Sequence, residues 1–188
     1  MKAIVINRHP GTAVDMEPSI SIIPSSAMVS DGKPLFTAGF STSWTVTPAL
    51  AFRLSRLGKS IGRQFASRYY DSVMPVMMVR AAALSERPDL QALGCAIDGA
   101  LIVGRRQPLS DDGSYRLVTS GHELADITLT REDLDTDNSI AVLSTYMTLQ
   151  MGDLLIVCTT PIEIPVNPGD RLTVSLNGVE EALSVRIK

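Results

Sequence analysis

Histidine, cysteine and aromatic residues are scarce in this chain of 188 residues. It contains two histidines, His9 and His122, and two cysteines, Cys95 and Cys158, while Phe, Trp and Tyr together make up 5% of the sequence. Two histidines limit any mechanism that needs several imidazoles. The cysteines lie far apart and form no Cys-x-x-Cys motif, so a reducing compartment is the default expectation.

Long apolar runs and a strong net charge are missing as well. The longest apolar stretches, such as residues 74–79, are far too short to span a membrane, and the apolar run at the start is too short for a secretory signal peptide. Seventeen basic and twenty acidic residues leave a formal net charge of −3, which attracts neither nucleic acid nor an anionic membrane. The composition therefore predicts a cytoplasmic protein with no nucleic-acid or membrane partner.

Several well-known catalytic and ligand-binding signatures are also absent. The sequence has no glycine-rich phosphate loop, no Gly-x-Ser-x-Gly and no His-Glu-x-x-His. The acidic run at residues 132–137 lacks the glycine and the terminal glutamate of a calcium-binding loop. We interpret this run as a solvated approach to a helix, whose N-terminus favours negative charge.

Eleven prolines and thirteen glycines are distributed along the whole chain, which predicts many short elements joined by tight turns. No repeat and no change of composition marks a linker. We therefore expect a single domain over residues 1–188, with N-terminal strands and a shortened loop in residues 1–40 and a β-rich core in residues 41–188.

Apolar and other residues alternate over residues 46–55, and this period of two predicts a strand with two distinct faces. One face holds Val46, Pro48, Leu50, Phe52 and Leu54. The other face holds Thr47, Ala49, Ala51, Arg53 and Ser55. Apolar runs predict further strands at residues 2–6, 73–80, 100–105, 115–119 and 153–158.

Turn signals predict two hairpins. The dipeptide at residues 31–32 is Asp-Gly and would join two strands within residues 20–36. The dipeptide at residues 177–178 is Asn-Gly and would join residues 171–176 to residues 182–187.

Two stretches have the pattern of short helices. Ser60 would cap a helix that extends to Tyr69, because apolar residues recur there at a spacing of four. A second helix is expected from Asp137 or Asn138 to about Met147. Together the elements predict an α+β, strand-rich fold with two or three short helices.

Several short segments resemble the fumarylacetoacetate hydrolase family, specifically its short bacterial single-domain members. The similarity extends loosely over residues 1–188 and is closest in turns and packing segments. These segments are residues 25–36, 56–61, 68–71, 140–144, 147–153 and 168–170. The resemblance implies a β-rich roll or sandwich that usually forms dimers.

The resemblance also implies a divalent-metal site, which family members build from a Glu-x-Glu pair on one strand and an Asp on a later strand. Residues two apart on a strand point the same way, and carboxylate oxygens suit Mg²⁺ or Mn²⁺. Counting from the matched segments places the three ligands at Thr47, Ala49 and Met78. A hydroxyl, a methyl and a thioether stand where carboxylates would be needed, so we expect no bound metal and no cofactor.

The other functional positions of the family are replaced too. Its two lysines fall at Ile23 and Cys95, and its Arg-Asp pair falls at Ala82 and Ala83. The loop that carries the family's catalytic histidine is shorter here, and His9 is the nearest counterpart.

Three residues remain weak candidates for catalysis. Cys95 with His9 or His122 would form a nucleophile–base pair, although a small buried thiol beside a glycine is the favoured interpretation of Cys95. Asp98 would serve either as a general base or as a turn residue before a glycine. The spacing does not decide between these interpretations.

The sequence thus predicts a fumarylacetoacetate hydrolase-like protein without the metal chemistry. It would form a homodimer, or a hetero-oligomer with a paralogue, in a structural or regulatory role. Alternatively it would bind a small carboxylic acid at the vacated positions Thr47, Ala49 and Met78, with Arg53 and Arg80 either meeting the anion or forming surface ion pairs. The alternative is a metal-independent hydrolase, isomerase or decarboxylase of small 2-oxo or 1,3-dicarbonyl acids.

Overall fold

The structure, a computed structural model, describes residues 1–7, 19–121, 125–158 and 162–188. Two β-sheets make up most of this part of the chain. The strands of the larger sheet are β1 (Lys2–Asn7), β2 (Ser19–Pro24), β3 (Met28–Ser30), β4 (Trp44–Leu54), β5 (Tyr70–Ala81), β6 (Leu101–Val103), β7 (Gln107–Pro108), β10 (Leu154–Cys158) and β11 (Ile164–Val166). The strands of the smaller sheet are β8 (Tyr115–Ser120), β9 (Asp126–Leu129), β12 (Arg171–Leu176) and β13 (Val179–Arg186).

The helices are short and lie between the strands. They are α1 (Ala82–Ser85), α2 (Gln91–Gly94), α3 (Arg131–Leu134) and α4 (Thr136–Tyr146), with 3-10 helices at Ser25–Ala27, Arg63–Arg68 and Pro88–Leu90. Only α4 exceeds four residues among the described α-helices, which confirms the strand-rich α+β class. No helix in the described ranges has the length and apolar character needed to cross a membrane.

The larger sheet has the strand order β2-β1-β10-β4-β5-β6-β3, with β11 beside β4 and β7 beside β5. The smaller sheet has the order β13-β12-β8-β9. The β1–β10 and β3–β6 pairs are parallel, and the other described pairs are antiparallel.

The long strand β4 has the two distinct faces that its alternation predicts, and both are buried. Its large apolar residues, Leu50 and Phe52 among them, join the main core together with residues of the smaller sheet such as Val174. Its small residues, Ala49 and Ala51, face the opposite side and join a second core cluster. We call this the alanine-rich cluster, because its buried members include Ala3, Ala27, Ala49, Ala51 and Ala100.

Two predicted elements near the N-terminal half are wrong. The 31–32 dipeptide does not join a hairpin, since β3 pairs in parallel with β6 and the amides of Asp31 and Gly32 donate to Val103 and Ser184. No α-helix starts at Ser60, whose φ is 53°, and a 3-10 helix occupies Arg63–Arg68 instead. In both segments, hydrogen bonds to residues distant in sequence determine the backbone conformation.

The C-terminal predictions are confirmed with small changes in their ends. The second helix is α4, which begins at Thr136, and its Ile140 and Leu143 are buried in the main core. The strands β12 and β13 form the expected antiparallel hairpin, with Asn177 and Gly178 at its turn. Both turn residues have a positive φ, as a tight two-residue turn requires.

A fully buried carboxylate, Asp153, links the start of the chain to the turn before β10. It forms an ion pair with the Lys2 ammonium and accepts hydrogen bonds from the backbone amides of Lys2, at 3.0 Å, and Gln150, at 2.9 Å. Its exposed fraction is 0%. Because water cannot replace these partners, the carboxylate depends on them for its solvation.

Replacing Asp153 should therefore destabilise the fold strongly. We expect Asp153→Ala to lower the free energy of unfolding by about 3 kcal/mol, because it leaves two amides and a cation without their acceptor. Urea denaturation measures this loss. The matched control is Asp126→Ala, which breaks the exposed pair with Arg116 and should cost less than about 1 kcal/mol. Equal losses in the two variants would show that Asp153 has no special role.

Candidate functional site

The three positions that the family resemblance assigned to metal ligands do converge in the structure. Thr47 on β4 lies directly opposite Met78 on β5, and Ala49 follows two residues later on the same face of β4. Their exposed fractions are 4%, 6% and 2%, respectively. The predicted register of these strands is thus consistent with a single site.

The surroundings of these positions are apolar. Ala49 and Met78 belong to the alanine-rich cluster, together with Ile23 from β2. Cys95 and Ile97 are partly buried and pack against the same cluster. The positions matched to the family's two lysines, Ile23 and Cys95, therefore lie in or against the same cluster as Ala49 and Met78.

These residues do not fit a magnesium or manganese ion. Hard divalent cations bind oxygen ligands, mostly carboxylates, and a thioether and a methyl group provide none. Within the described ranges no three His, Cys, Asp or Glu side chains come together in a way that could hold a metal ion. Two clefts of the described residues, of about 240 and 460 Å³, are not lined by Thr47, Ala49 or Met78.

The two arginine candidates are each engaged by a carboxylate. Arg80 lies 3.0 Å from Glu163, and both side chains are about half exposed. Arg53 lies 3.6 Å from Asp71, which also binds Arg106 at 3.0 Å. Arg53 sits at the far end of the strand face that carries Thr47. The structure therefore favours the interpretation of both arginines as members of ion pairs.

The three weak catalytic candidates have different outcomes. Cys95 is a free, half-buried thiol that packs against the alanine-rich cluster. Asp98 is exposed in a turn that closes with a hydrogen bond from Ala100 to Ile97, so the turn interpretation is favoured. His9, like His122, lies outside the described residues, and the proposed thiol–imidazole pair stays a prediction.

A second location, not anticipated from the sequence, is a cleft of about 240 Å³ between α4, α3 and the start of β8. Its floor holds Phe52, which makes edge-to-face contacts with Tyr70 and Tyr115 at ring-centroid distances of 5.5 and 5.8 Å. The Tyr70 hydroxyl donates to the Asp137 carboxylate at 3.2 Å. These residues are far apart in sequence, and no motif connects them.

Burial and the neighbouring Asp137 charge raise the pKa of Tyr70 to about 12, because both disfavour a phenolate. Burial also raises the pKa of Tyr115. The hydroxyls of both tyrosines are therefore protonated throughout the neutral range. The two phenols of the cleft are therefore hydrogen-bonding groups and not ionised bases.

Sequence comparison yields no relatives: neither a protein-family model nor a curated protein matches the chain. Solved structures do match. The 5-carboxymethyl-2-hydroxymuconate delta-isomerase from Mycobacterium smegmatis superimposes with a TM-score of 0.87 at 16% identity, over 99% of this chain and 76% of that one. Fumarylpyruvate hydrolase from Pseudomonas aeruginosa, in complex with Mn²⁺ and pyruvate, gives 0.79 at 18% identity, over 100% and 89%.

A third match identifies the fold family. A proposed fumarylacetoacetate hydrolase family protein from Yersinia pestis matches with a TM-score of 0.83 and 19% identity, over 100% of this chain and 92% of that one. The chain is thus a strand-rich α+β protein with a curled sheet. Its fold is that of the fumarylacetoacetate hydrolase family, as the sequence resemblance led us to expect.

Placing a carboxylate at the matched aspartate position should be costly. We expect Met78→Asp to lower the free energy of unfolding by about 3 kcal/mol or more, because the charge would enter an apolar cluster without a partner. The control is Met151→Asp, the same substitution at a side chain that is 68% exposed. Chemical denaturation compares the two. A Met78→Asp protein as stable as the control would show that water or cations reach this position.

Alkaline titration tests the environment of Tyr70. The folded pKa is raised, so its contribution to stability is complete below pH 10.0 and disappears as the pH rises to about 12. We expect the tyrosinate absorbance to show one phenol ionising near this upper limit, and Tyr70→Phe to remove it. Tyr146→Phe, which alters a 68% exposed ring, should leave that late ionisation in place. A late ionisation that survives in Tyr70→Phe, or that is lost in Tyr146→Phe, would contradict the hydrogen bond to Asp137.

Proposed function

We propose that this protein is a non-catalytic member of the fumarylacetoacetate hydrolase fold, acting as a structural or regulatory subunit without a divalent metal. The observation that supports this proposal is the packing of Thr47, Ala49 and Met78. All three are buried, and the last two belong to the alanine-rich cluster. A site for metal chemistry requires charged oxygen ligands and access for substrate, and this environment is suited to neither.

The apolar replacements also have a consequence for stability. Three carboxylates held close together repel one another and need a cation to be stable in a buried site. Ala49 and Met78 instead contribute apolar surface to the cluster, so this region would fold without a metal. A structural or regulatory subunit would then fold without first binding a metal.

A subunit role implies partners, and we propose a homodimer or a hetero-oligomer with an active paralogue in the cytoplasm. Such partners would be of the same fold, since dimers are usual in the family that the sequence resembles. Light scattering of the purified chain would detect the homodimer. Co-purification with a metal-binding paralogue would detect the hetero-oligomer, and a chain that stays monomeric and alone would contradict both forms.

The competing proposal is a metal-independent enzyme that acts on small 2-oxo or 1,3-dicarbonyl acids. Two observations support this alternative. Structural neighbours are named as isomerases and hydrolases, and Cys95 packs against the cluster that contains Ala49 and Met78. In this mechanism Cys95 would be the nucleophile. It therefore predicts turnover that disappears in Cys95→Ala.

A metal and activity assay separates the two proposals. We expect the purified protein to bind no stoichiometric Mn²⁺ by elemental analysis, because its donor set lacks carboxylates. We also expect no hydrolysis of fumarylpyruvate, with or without added Mn²⁺. The fumarylpyruvate hydrolase from Pseudomonas aeruginosa serves as the positive control for both measurements.

Three outcomes would contradict the non-catalytic proposal. Stoichiometric binding of Mn²⁺ that is retained in Met78→Leu would show a metal site elsewhere in the molecule. Turnover by the wild-type chain that Cys95→Ala abolishes would establish the thiol mechanism. Turnover that survives in Cys95→Ala would show an activity that does not depend on the thiol.

A further inference from the structure

A basic groove of about 460 Å³ lies against the smaller sheet, on the side where residues 31–35 run along β13. Four cationic side chains and two acidic ones line it: Arg105, Arg171, Arg186 and Lys188, with Asp31 and Glu181. The side chains of this lining therefore carry a surplus of two positive charges. The whole chain, in contrast, has a formal net charge of −3.

Both acids in the groove already have partners. Asp31 accepts a hydrogen bond from the Ser184 amide at 2.7 Å and binds the Arg105 guanidinium at 2.9 Å. Glu181 binds the Arg171 guanidinium through both of its oxygens, at 3.1 and 3.3 Å. Among the described residues, neither acid of the groove is left to pair with Arg186.

The register of β12 and β13 makes this surplus more pronounced. Arg171 and Arg186 are direct partners across the two strands, and both are exposed on the same side of the sheet. Like charges placed directly opposite each other in a sheet are destabilising. No acid within the described ranges forms an ion pair with Arg186.

An irregularity in the hairpin creates this pairing. Leu176 pairs with Val179 beside the turn, and a regular two-residue hairpin would continue by placing Ser184 opposite Arg171. Between Leu176 and Val174 the register shifts, so that Val174 pairs with Leu183 and Arg171 with Arg186. Glu181, with a φ of 47°, lies in the shifted stretch. The bulge therefore brings together two charges that a regular hairpin would separate.

We propose that this groove binds a small dianion of the phosphate or dicarboxylate class, held between Arg171 and Arg186. A guanidinium presents parallel N–H donors that match the oxygens of a carboxylate or a phosphate, and two such groups on one side suit a doubly charged ligand. A bound dianion would also remove the repulsion between the two arginines. The site lies on the smaller sheet and does not depend on the function proposed above.

Calorimetric titration of the full chain with inorganic phosphate and with succinate, at constant ionic strength, tests this site. We expect saturable binding of at least one of them. Arg186→Gln should weaken it by about tenfold to a hundredfold, the loss typical of one charge-assisted hydrogen bond. The same variant should be as stable as the wild type or more stable in the absence of ligand, because the like-charge pair is gone.

The matched control is Arg116→Gln, which changes an exposed arginine of the same sheet whose partner is Asp126. It should leave the affinity unchanged. Arg186→Lys keeps the charge but not the planar fork, so it should bind more weakly than the wild type. This second variant decides the question if Arg186→Gln does not fold.

The two titrants distinguish the source of the dianion. Tighter binding of phosphate would assign the groove to phosphorylated small molecules, and tighter binding of succinate would assign it to dicarboxylates. The proposal would be overturned by the absence of saturable binding for both. It would equally be overturned by equal affinities in the wild type and Arg186→Gln, or by equal losses in Arg186→Gln and the Arg116 control.

Discussion

The antiparallel pairing of β4 with β5 is the constraint on which the rest of this structure depends. It runs without a break from the Trp44–Ala81 pair to the Arg53–Ser72 pair, and its two faces are buried in different cores. A slip of one residue would exchange the faces and send Phe52 into the space that Ala51 fills. The large side chains on one face and the small ones on the other therefore fix the register.

That register also determines what lies at the positions matched to the family's metal ligands. Because Thr47 and Met78 are cross-strand partners and Ala49 shares their face, all three occupy the side of the sheet with small apolar residues. Charged ligands in that environment would need a cation for compensation, whereas alanine and methionine contribute to packing. In this chain the described residues on that side of the sheet form an apolar cluster.

The acidic residues of the chain have roles other than metal binding in the described structure. The described carboxylates mostly join surface ion pairs such as Arg80 with Glu163, cap a short helix at Asp133, or bridge distant segments, as Asp153 does with Lys2. In the basic groove beside β13, the cationic side chains of the lining outnumber the acidic ones.

The sequence by itself determined the features that depend on local patterns. The period of two at residues 46–55 predicts β4 and the division of its faces, and Asn177 with Gly178 predicts the C-terminal hairpin, because both signals arise from neighbouring residues. The residue types at Thr47, Ala49 and Met78 were equally visible, and the resemblance to a known family showed that they would meet.

Only the tertiary structure decided the features that depend on distant partners. The parallel pairing of β3 with β6 replaces an expected hairpin, and Tyr70 meets Asp137 although the two lie far apart in sequence. The pairing of Arg171 with Arg186 depends on a bulge that no turn signal announces. Local propensity specifies a strand or a turn, but the choice among its possible partners is made by the packing of the whole chain.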